Sequence, residues 1–377
     1  MAHHLPRINV RVFTVLVLVS LPLFALAAIM VLGTGQAQLR EAYGVQLTDT
    51  AQQIAATIDS YVFRRLMDVA NLAKVPEVQA AAMAGSSAPL DVAKARELDA
   101  AWAAQPGATA AKSGILDNPA SRYLRDVVGD DRIYREIMVT DREGRLVAAS
   151  GATSDYIQSD EAWWKEAFND GVRGRVSVSD VVFDDSSKTY AVELAVPITE
   201  RPGDRLVGVL KVVADARELL AMTASVRPGA RGEALLIRDD GSIVVSQRSV
   251  GEKVQFFAAD LLRERMKNYK AYDPQFKVAL TARDQDGREY LVGVAPSQLG
   301  ASYPHLSWLV AVTSAESDLM APVRAQMWRL LAVFGLIAAT VLAVAAWFSL
   351  RLAAPPVGMD THITEHPEVP RIEEENL

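Results

Sequence analysis

The chain of 377 residues contains no cysteine. Disulfides and thiolate metal sites are excluded, and any exported part must be large enough to hold itself together through its own core. Histidine is nearly as scarce. Of the five, His3, His4, His362 and His366 lie in the terminal tails, which leaves only His305. No His-based triad or His-rich metal cluster can assemble between 120 and 220. A basic stripe is also missing, and at a net charge of −7 the chain offers no footprint for nucleic acid. Asp184 and Asp185 are adjacent and precede Ser186 and Ser187. That run reads as a turn whose two carboxylates point to opposite faces of an extended chain, so it does not form a catalytic pair. The sequence reads as a non-enzyme with no cofactor.

What the chain does contain is two long apolar runs. Val12–Gly33 is 22 residues without a charge, and Leu330–Leu350 is 21. Each exceeds the roughly 18 to 20 residues that cross a hydrocarbon core. Ala25-Leu26-Ala27 looks like a cleavage site, but the first run is longer than the roughly 7 to 15 residues of a signal-peptide core. It therefore reads as an uncleaved transmembrane helix over 12–33. Trp328 and Trp347 stand near the two ends of the second run, where indoles favour the membrane interface, and this helix is assigned to 327–350. Arg7 and Arg11 place the N-terminal 1–11 in the cytoplasm. Arg324 and Arg329 pull the other way, but long loops translocate largely regardless of charge. Residues 34–326 are then outside, and both termini are inside.

After the first run, apolar residues recur at Leu47, Ala51, Ile54, Ile58 and Tyr61, and then one position out of step at Val62, Leu66, Val69 and Ala73. The spacing predicts an amphipathic helix over 36–75 that stops before Pro76. Such a helix is either a scaffold packed along the domain behind it or a seam for a homodimer. Residues 80–118 are rich in alanine. AAMAGSS (81–87) and AAQPGATAAKSG (103–114) read as loops flanking a short helix around 89–104.

From Arg135 the apolar period becomes two. Ile137 and Val139, then Leu146 and Ala148, alternate around a turn at Asp141-Arg142-Glu143-Gly144. The pattern returns in ALLIRDDGSIVVS (234–246), with its turn at Arg238-Asp239-Asp240-Gly241. Laying Gly144 on Gly241 gives an offset of 97 residues, which points to an internal duplication. Each copy continues with a helical stretch (161–169; 258–267) and three strands (176–183, 189–198, 205–214; 276–283, 288–296, 306–313). Two tandem α+β modules follow, over 120–220 and 225–320.

MVTDREGRLVAAS (138–150), DYIQSDEAWWKEAF (155–168), PITERPGDRLVGVLKVVAD (197–215), GARGEALLIRDDGSIVV (229–245) and SWLVAVTSAESDLMAPV (307–323) occur in that order between the apolar runs. This arrangement resembles the double Cache sensor family. The resemblance covers about 34–326. It implies a bacterial inner-membrane receptor in which two PAS-like modules with antiparallel sheets stand on one long helix, flanked by two transmembrane helices. A small extracytoplasmic ligand is implied in the membrane-distal module.

Within 135–215, Tyr156, Trp163 and Trp164 supply aromatic faces, and Asp184 and Asp215 supply carboxylates at strand ends. Rings combined with carboxylates suit a cationic ligand. In the amino-acid-sensing branch of the family the lid carries Tyr, Arg five later, Trp and Tyr at seven and eight, and a later Asp for the ligand amine. Tyr156 and Trp163 match, and Asp215 is the candidate for the late Asp. Glu161 stands where the arginine would be, and Trp164 replaces the second Tyr. A guanidinium would hold a ligand carboxylate, whereas Glu161 repels it. The expected ligand is thus an amine lacking a carboxylate, or an unrelated neutral solute. One of the two tryptophans can instead simply pack the lid, since adjacent helical residues face different ways. Asp215 can equally cap the helix that begins DAREL, and Asp184 can be a surface carboxylate. Trp308 reads as core, and Asp239-Asp240-Gly241 as a plain turn.

Arg351-Leu352-Ala353-Ala354-Pro355-Pro356 resembles the start of a HAMP linker. Only 21 residues follow Pro356, in a segment of net negative charge that includes Pro367 and Pro370, and 351–377 reads as a disordered tail. The expectation is a receptor subunit without its own output domain, coupled to a separate kinase or chemotaxis-type protein. The alternative is a membrane adaptor whose modules bind a partner protein.

Overall fold

The computed structural model describes residues 10–87, 91–104, 114–200, 203–247, 250–251, 254–270 and 273–353. The chain divides into two compact units, residues 39–321 and the two terminal segments 1–38 and 322–377. In the terminal unit, the helix α10 (Ala321–Ala353) contains Val323–Trp347, a segment of mean hydropathy 2.4 that is long and apolar enough to cross a membrane. It is the one such segment among the described residues, and a shorter apolar stretch, Val17–Leu26, lies in helix α1 (Val10–Leu72). The acidic tail lies outside the described residues.

In the unit 39–321, α1 supplies the backbone of the core. Leu47, Ala51, Ile54, Ile58, Val62, Leu66, Val69 and Ala73 are all buried in one continuous cluster with strand residues of both modules, and Tyr61 packs at its margin. The predicted seam is therefore covered by the chain's own sheets, which is the scaffold alternative. The one-position slip at Tyr61/Val62 has a structural counterpart. Up to Asp59 the helix bonds the second module, through Ser297 and the Gln298 N–H; from Arg65 it bonds the first, through Asp131 and Tyr134.

Helix α2 (Pro76–Ser86), helix α3 (Val92–Ala104) and helix α4 (Pro119–Asp130) follow. The expected loop at 81–87 is thus mostly helix. Pro76 presets φ at the first helical position, and the alanine run has the best intrinsic propensity, with Val78 and Ala82 turned into the core. Helix α4 was not foreseen. Asn118 starts it by accepting the Ser121 N–H at 2.9 Å. Most of the stretch 103–114 lies outside the described residues.

The distal module then builds β1 (Tyr134–Asp141), β2 (Leu146–Ala149), helix α5 (Ala162–Phe168), β3 (Ser177–Asp184), β4 (Thr189–Thr199) and β5 (Leu206–Asp215). After helix α6 (Arg217–Ala224) the proximal module repeats the plan. It has β6 (Glu233–Arg238), β7 (Ile243–Val245), helix α7 (Ala259–Met266), β8 (Val278–Arg283), β9 (Glu289–Pro296), helix α8 (Leu299–Ser302), β10 (Trp308–Ala315) and helix α9 (Glu316–Leu319). The two antiparallel sheets have the orders β2-β1-β5-β4-β3 and β7-β6-β10-β9-β8. Both hairpins turn on a glycine at positive φ, Gly144 at 80° and Gly241 at 79°. Both also carry a register shift at the same place, Val139/Thr140 and Leu236/Ile237. A shared irregularity at the offset of 97 is what a duplication leaves behind.

Residues directly opposite across antiparallel strands share a face, and alternate residues change face. Ile137, Val139, Leu194, Leu210 and Val212 form the inner face, against α1. Met138, Ala195 and Val209 lie on the outer face, beneath α5. The fit to α1 is closest at Gly293 on β9, where a Cβ would stand 2.3 Å from the Leu47 carbonyl carbon.

Candidate functional site

Helix α5 is the lid of the distal sheet, and its two tryptophans divide the work. Trp164 is buried, donates its Nε1 hydrogen to Thr140 Oγ1 at 2.9 Å and stacks on Phe168 at 4.4 Å. This is the packing role. Trp163, also buried, lies instead over a charge: the Lys211 ammonium is 5.0 Å from its ring centroid.

Lys211 rises from the middle of the central strand β5, with its side chain only 7% exposed. Its Nζ is 2.6 Å from Glu193 Oε1 on β4 and 3.9 Å from Asp184 Oδ1 at the end of β3. Glu136 on β1 joins from the other side. Like Glu193, it pairs across the sheet with Val213, and so both share the outer face with Lys211. Three carboxylates thus face one ammonium under an indole. Burying charges is costly unless each is paired, so the arrangement is high in energy wherever it is incomplete. It is incomplete at Glu136: the residue is 5% exposed, and its Oε1 has no hydrogen-bond partner among the described residues. Burial pushes its carboxyl up to about 7; Asp184 and Glu193 add to the rise, while Ser186 and Lys211 oppose it. Asp184 goes the other way. Burial raises it, but contacts with Ser187 and Ser186 and the Lys211 charge outweigh that and hold it below its ordinary value. The Ser187 N–H and the Ser186 hydroxyl reach its Oδ2 at 2.7 and 2.8 Å.

The remaining expected residues lie elsewhere or face elsewhere. Asp215 is buried, but Arg135 and Arg217 both clamp its Oδ2, at 2.5 and 2.7 Å, and the Arg217 N–H reaches its Oδ1 at 2.8 Å. Its acceptors are taken at the entrance to α6. Tyr156 hydrogen-bonds through its N–H to Asp99 and its ring is 6.0 Å from Trp102. It lines a separate open groove of about 660 Å³ with Ala84, Ile115, Asn118 and Leu146. Glu161 is exposed at the N-cap of α5. Partial desolvation raises its carboxyl, Asp160 adds to this, and Lys211 opposes it. The structure therefore brings Trp163 and Asp184 together with Lys211, Glu193 and Glu136, three residues the sequence reading missed. Their signal was a charge set inside an apolar strand: Glu136, beside Arg135, in REIMV, Glu193 in AVELAV and Lys211 in GVLKVV. Among the described residues no group of three His, Asp or Glu is arranged to hold a metal ion.

A second joint lies between the modules. On β3, Asp180 accepts from Arg238 Nε at 2.5 Å and from Trp308 Nε1 at 2.9 Å, and the Val178 carbonyl meets His305 Nε2 at 2.6 Å. One strand thus carries Asp184 into the charged cluster and Asp180 into the proximal module.

A long scaffold helix, two duplicated α+β modules and a lidded polar cluster in one of them define a tandem sensor-type fold. The chain belongs to the Cache domain family, whose model matches residues 35–323. The sensory domain of the Campylobacter jejuni chemoreceptor Tlp3 is similar in fold, with TM-score 0.50 and 12% identity over 75% of this chain and 98% of that one. So is the ligand-binding domain of Tlp3 in complex with L-norvaline, with TM-score 0.50 and 12% identity over 75% and 94%. The ligand-binding domain of Mlp24 with asparagine gives 0.47 and 17% over 76% and 99%. No curated protein matches the sequence.

Proposed function

We propose that the chain is a membrane-anchored extracytoplasmic sensor whose distal module binds a small solute, a cationic amine, beneath the lid helix α5. The observation that carries this reading is the excess of buried carboxylate under Trp163: Glu136, Glu193 and Asp184 against Lys211, with Glu136 Oε1 unpartnered. An ammonium seated among these carboxylates would satisfy that oxygen and meet the indole face. The Tlp3 domain that shares the fold carries L-norvaline, an amino acid. Here Glu161 at the lid margin disfavours a ligand carboxylate, so an amine without one fits better.

The rest of the reading follows the family. The chain spans a bacterial inner membrane twice, through 12–33 and 327–350, with 34–326 outside and both termini inside. It pairs as a homodimer on the free side of α1, where Val45, Phe63 and Met67 are exposed, and passes its signal to a separate kinase or chemotaxis-type protein. Closure of the lid biases two arrangements of α1. Its work is binding and not catalysis.

The test is thermal unfolding of the full chain in detergent against panels of amines, amino acids and organic acids. Amines should raise the midpoint by mass action, and Asp184→Asn or Trp163→Ala should abolish the shift. No shift from any compound would favour an adaptor whose modules bind a partner protein.

A further inference from the structure

We infer that the Lys211 ammonium occupies the seat that the ligand amine takes, so that the ligand binds by exchange with a tethered stand-in. The inference rests on the amine reading and specifies how that site is regulated. An amine seat in this module would be assigned to the Trp163 ring, Glu193 and Asp184. The chain's own ammonium stands there, 5.0 Å from the ring centroid, 2.6 Å from Glu193 and 3.9 Å from Asp184.

Two features mark Lys211 as a replaceable occupant. It is held by a single close ion pair, since its second carboxylate is 3.9 Å away; Asp215, four residues on, has two arginines and a backbone N–H. It also leaves the seat unsaturated, because Glu136 Oε1, on a side chain that is almost wholly buried, has no partner. The displaced lysine keeps a carboxylate within electrostatic reach in Glu161, at the N-cap of the lid helix. The ligand class that follows is a primary amine on a short unbranched apolar chain, the shape of the lysine stem itself. The stand-in lowers the apparent affinity by the fraction of time it holds the seat.

The probe is n-butylammonium, the lysine side chain without its backbone. Its affinity is measured by calorimetry on the full chain in nanodiscs at constant ionic strength, for wild type, Lys211→Met and Glu193→Gln. Wild type should bind weakly, Lys211→Met at least tenfold more tightly, and Glu193→Gln more weakly than wild type. Equal affinity for wild type and Lys211→Met would overturn the exchange and leave the amine reading standing. Binding to Lys211→Met alone would overturn the exchange, because Lys211 would then never yield the seat in wild type. Binding to neither would overturn the exchange and the amine reading together. If Lys211→Met does not fold, the Lys211 Nζ resonance of wild type decides. It should move to the position of free lysine at saturating n-butylammonium, and a fixed resonance under binding would overturn the exchange.

Discussion

Where the distal module carries Lys211 on β5, the proximal module carries Ala311 on β10. Each is the partner of an equivalent β1 or β6 residue, Met138 and Leu235, related by the offset of 97. The same comparison sets Glu193 against Val292, opposite Val213 and Thr313, and Ala195 against Val294. Around those positions the proximal outer face is an apolar cluster of Leu235, Ile237, Phe256, Leu262, Val292 and Ala311. Glu136 is matched by Glu233, which pairs with Thr313 as Glu136 pairs with Val213, so the two copies share that carboxylate and differ in the Lys211–Glu193 pair, which the proximal module replaces with Ala311 and Val292. A buried ion pair adds little net stability over an apolar core of the same shape. On the amine reading the Lys211–Glu193 pair serves the ligand, and the proximal module shows the same fold without that pair.

The sharpest way to break this contrast is to move the lysine across. Ala311→Lys would bury an ammonium with Val292 where Glu193 should be, and should cost about 3–5 kcal/mol in chemical denaturation. Adding Val292→Glu should return part of the loss. A cost under about 1 kcal/mol would mean that the proximal face tolerates charge and that the contrast is incidental.

The pH response should differ next. Glu136 takes up its proton near pH 7 when folded, against an ordinary value of 4.5. Folding therefore binds a proton between those values, and the stability this provides is complete below about 4.5 and lost as pH rises through about 7. Acting alone, the group would cost on the order of 3 kcal/mol across that window. Asp184 has the opposite sign, its contribution disappearing as pH falls below the ordinary carboxylate range. Glu136→Gln should flatten the slope between pH 5 and 8, and an unchanged slope would place the titrating group elsewhere.

Within the lid itself, Trp164 and Trp163 should separate. Thr140→Val strands the buried Trp164 N–H, at about 1–3 kcal/mol, and should leave ligand affinity unchanged. Trp163→Phe should cost less stability, about 1 kcal/mol, and more affinity, because the indole face is the stronger partner for an ammonium. Equal effects on affinity would erase the division between the two rings.

The sequence made much of the frame legible, because periodicity and turn glycines are local. The spacing Leu47 to Ala73 and the pair Gly144 and Gly241 needed no register to interpret. Helix α2 was misread because alanine-rich stretches with glycine and serine resemble loops until a proline at their start is given its helical role. The site was legible only in part. Trp163 and Asp184 stood out as an aromatic and a carboxylate near strand ends. Lys211, Glu193 and Glu136 lie on three strands, and only the pairing of β1 and β4 with β5 brings them to one face. Asp215 misled for the same reason. Arg135, 80 residues earlier, closes over it, and nothing local to Asp215 announces that contact.

The smallest effect on stability should come from the joint between the modules, and it tests whether the distal charges report to the proximal core. Asp180 is about a quarter exposed, as is Arg238, so their ion pair is partly screened. Asp180→Asn keeps an oxygen for the buried Trp308 N–H and removes the charge and the acceptor facing Arg238. A loss of about 1 kcal/mol is expected. The informative measurement is hydrogen exchange in β6 and β10 with and without a ligand that binds the distal module. In wild type the ligand should slow exchange there, because Asp184 in the site and Asp180 at the joint belong to one strand, β3. In Asp180→Asn the distal protection should persist and the proximal protection should fall away. Equal proximal protection in both would show that β3 is not the link, and would leave α1, which contacts both sheets, as the route by which one module informs the other.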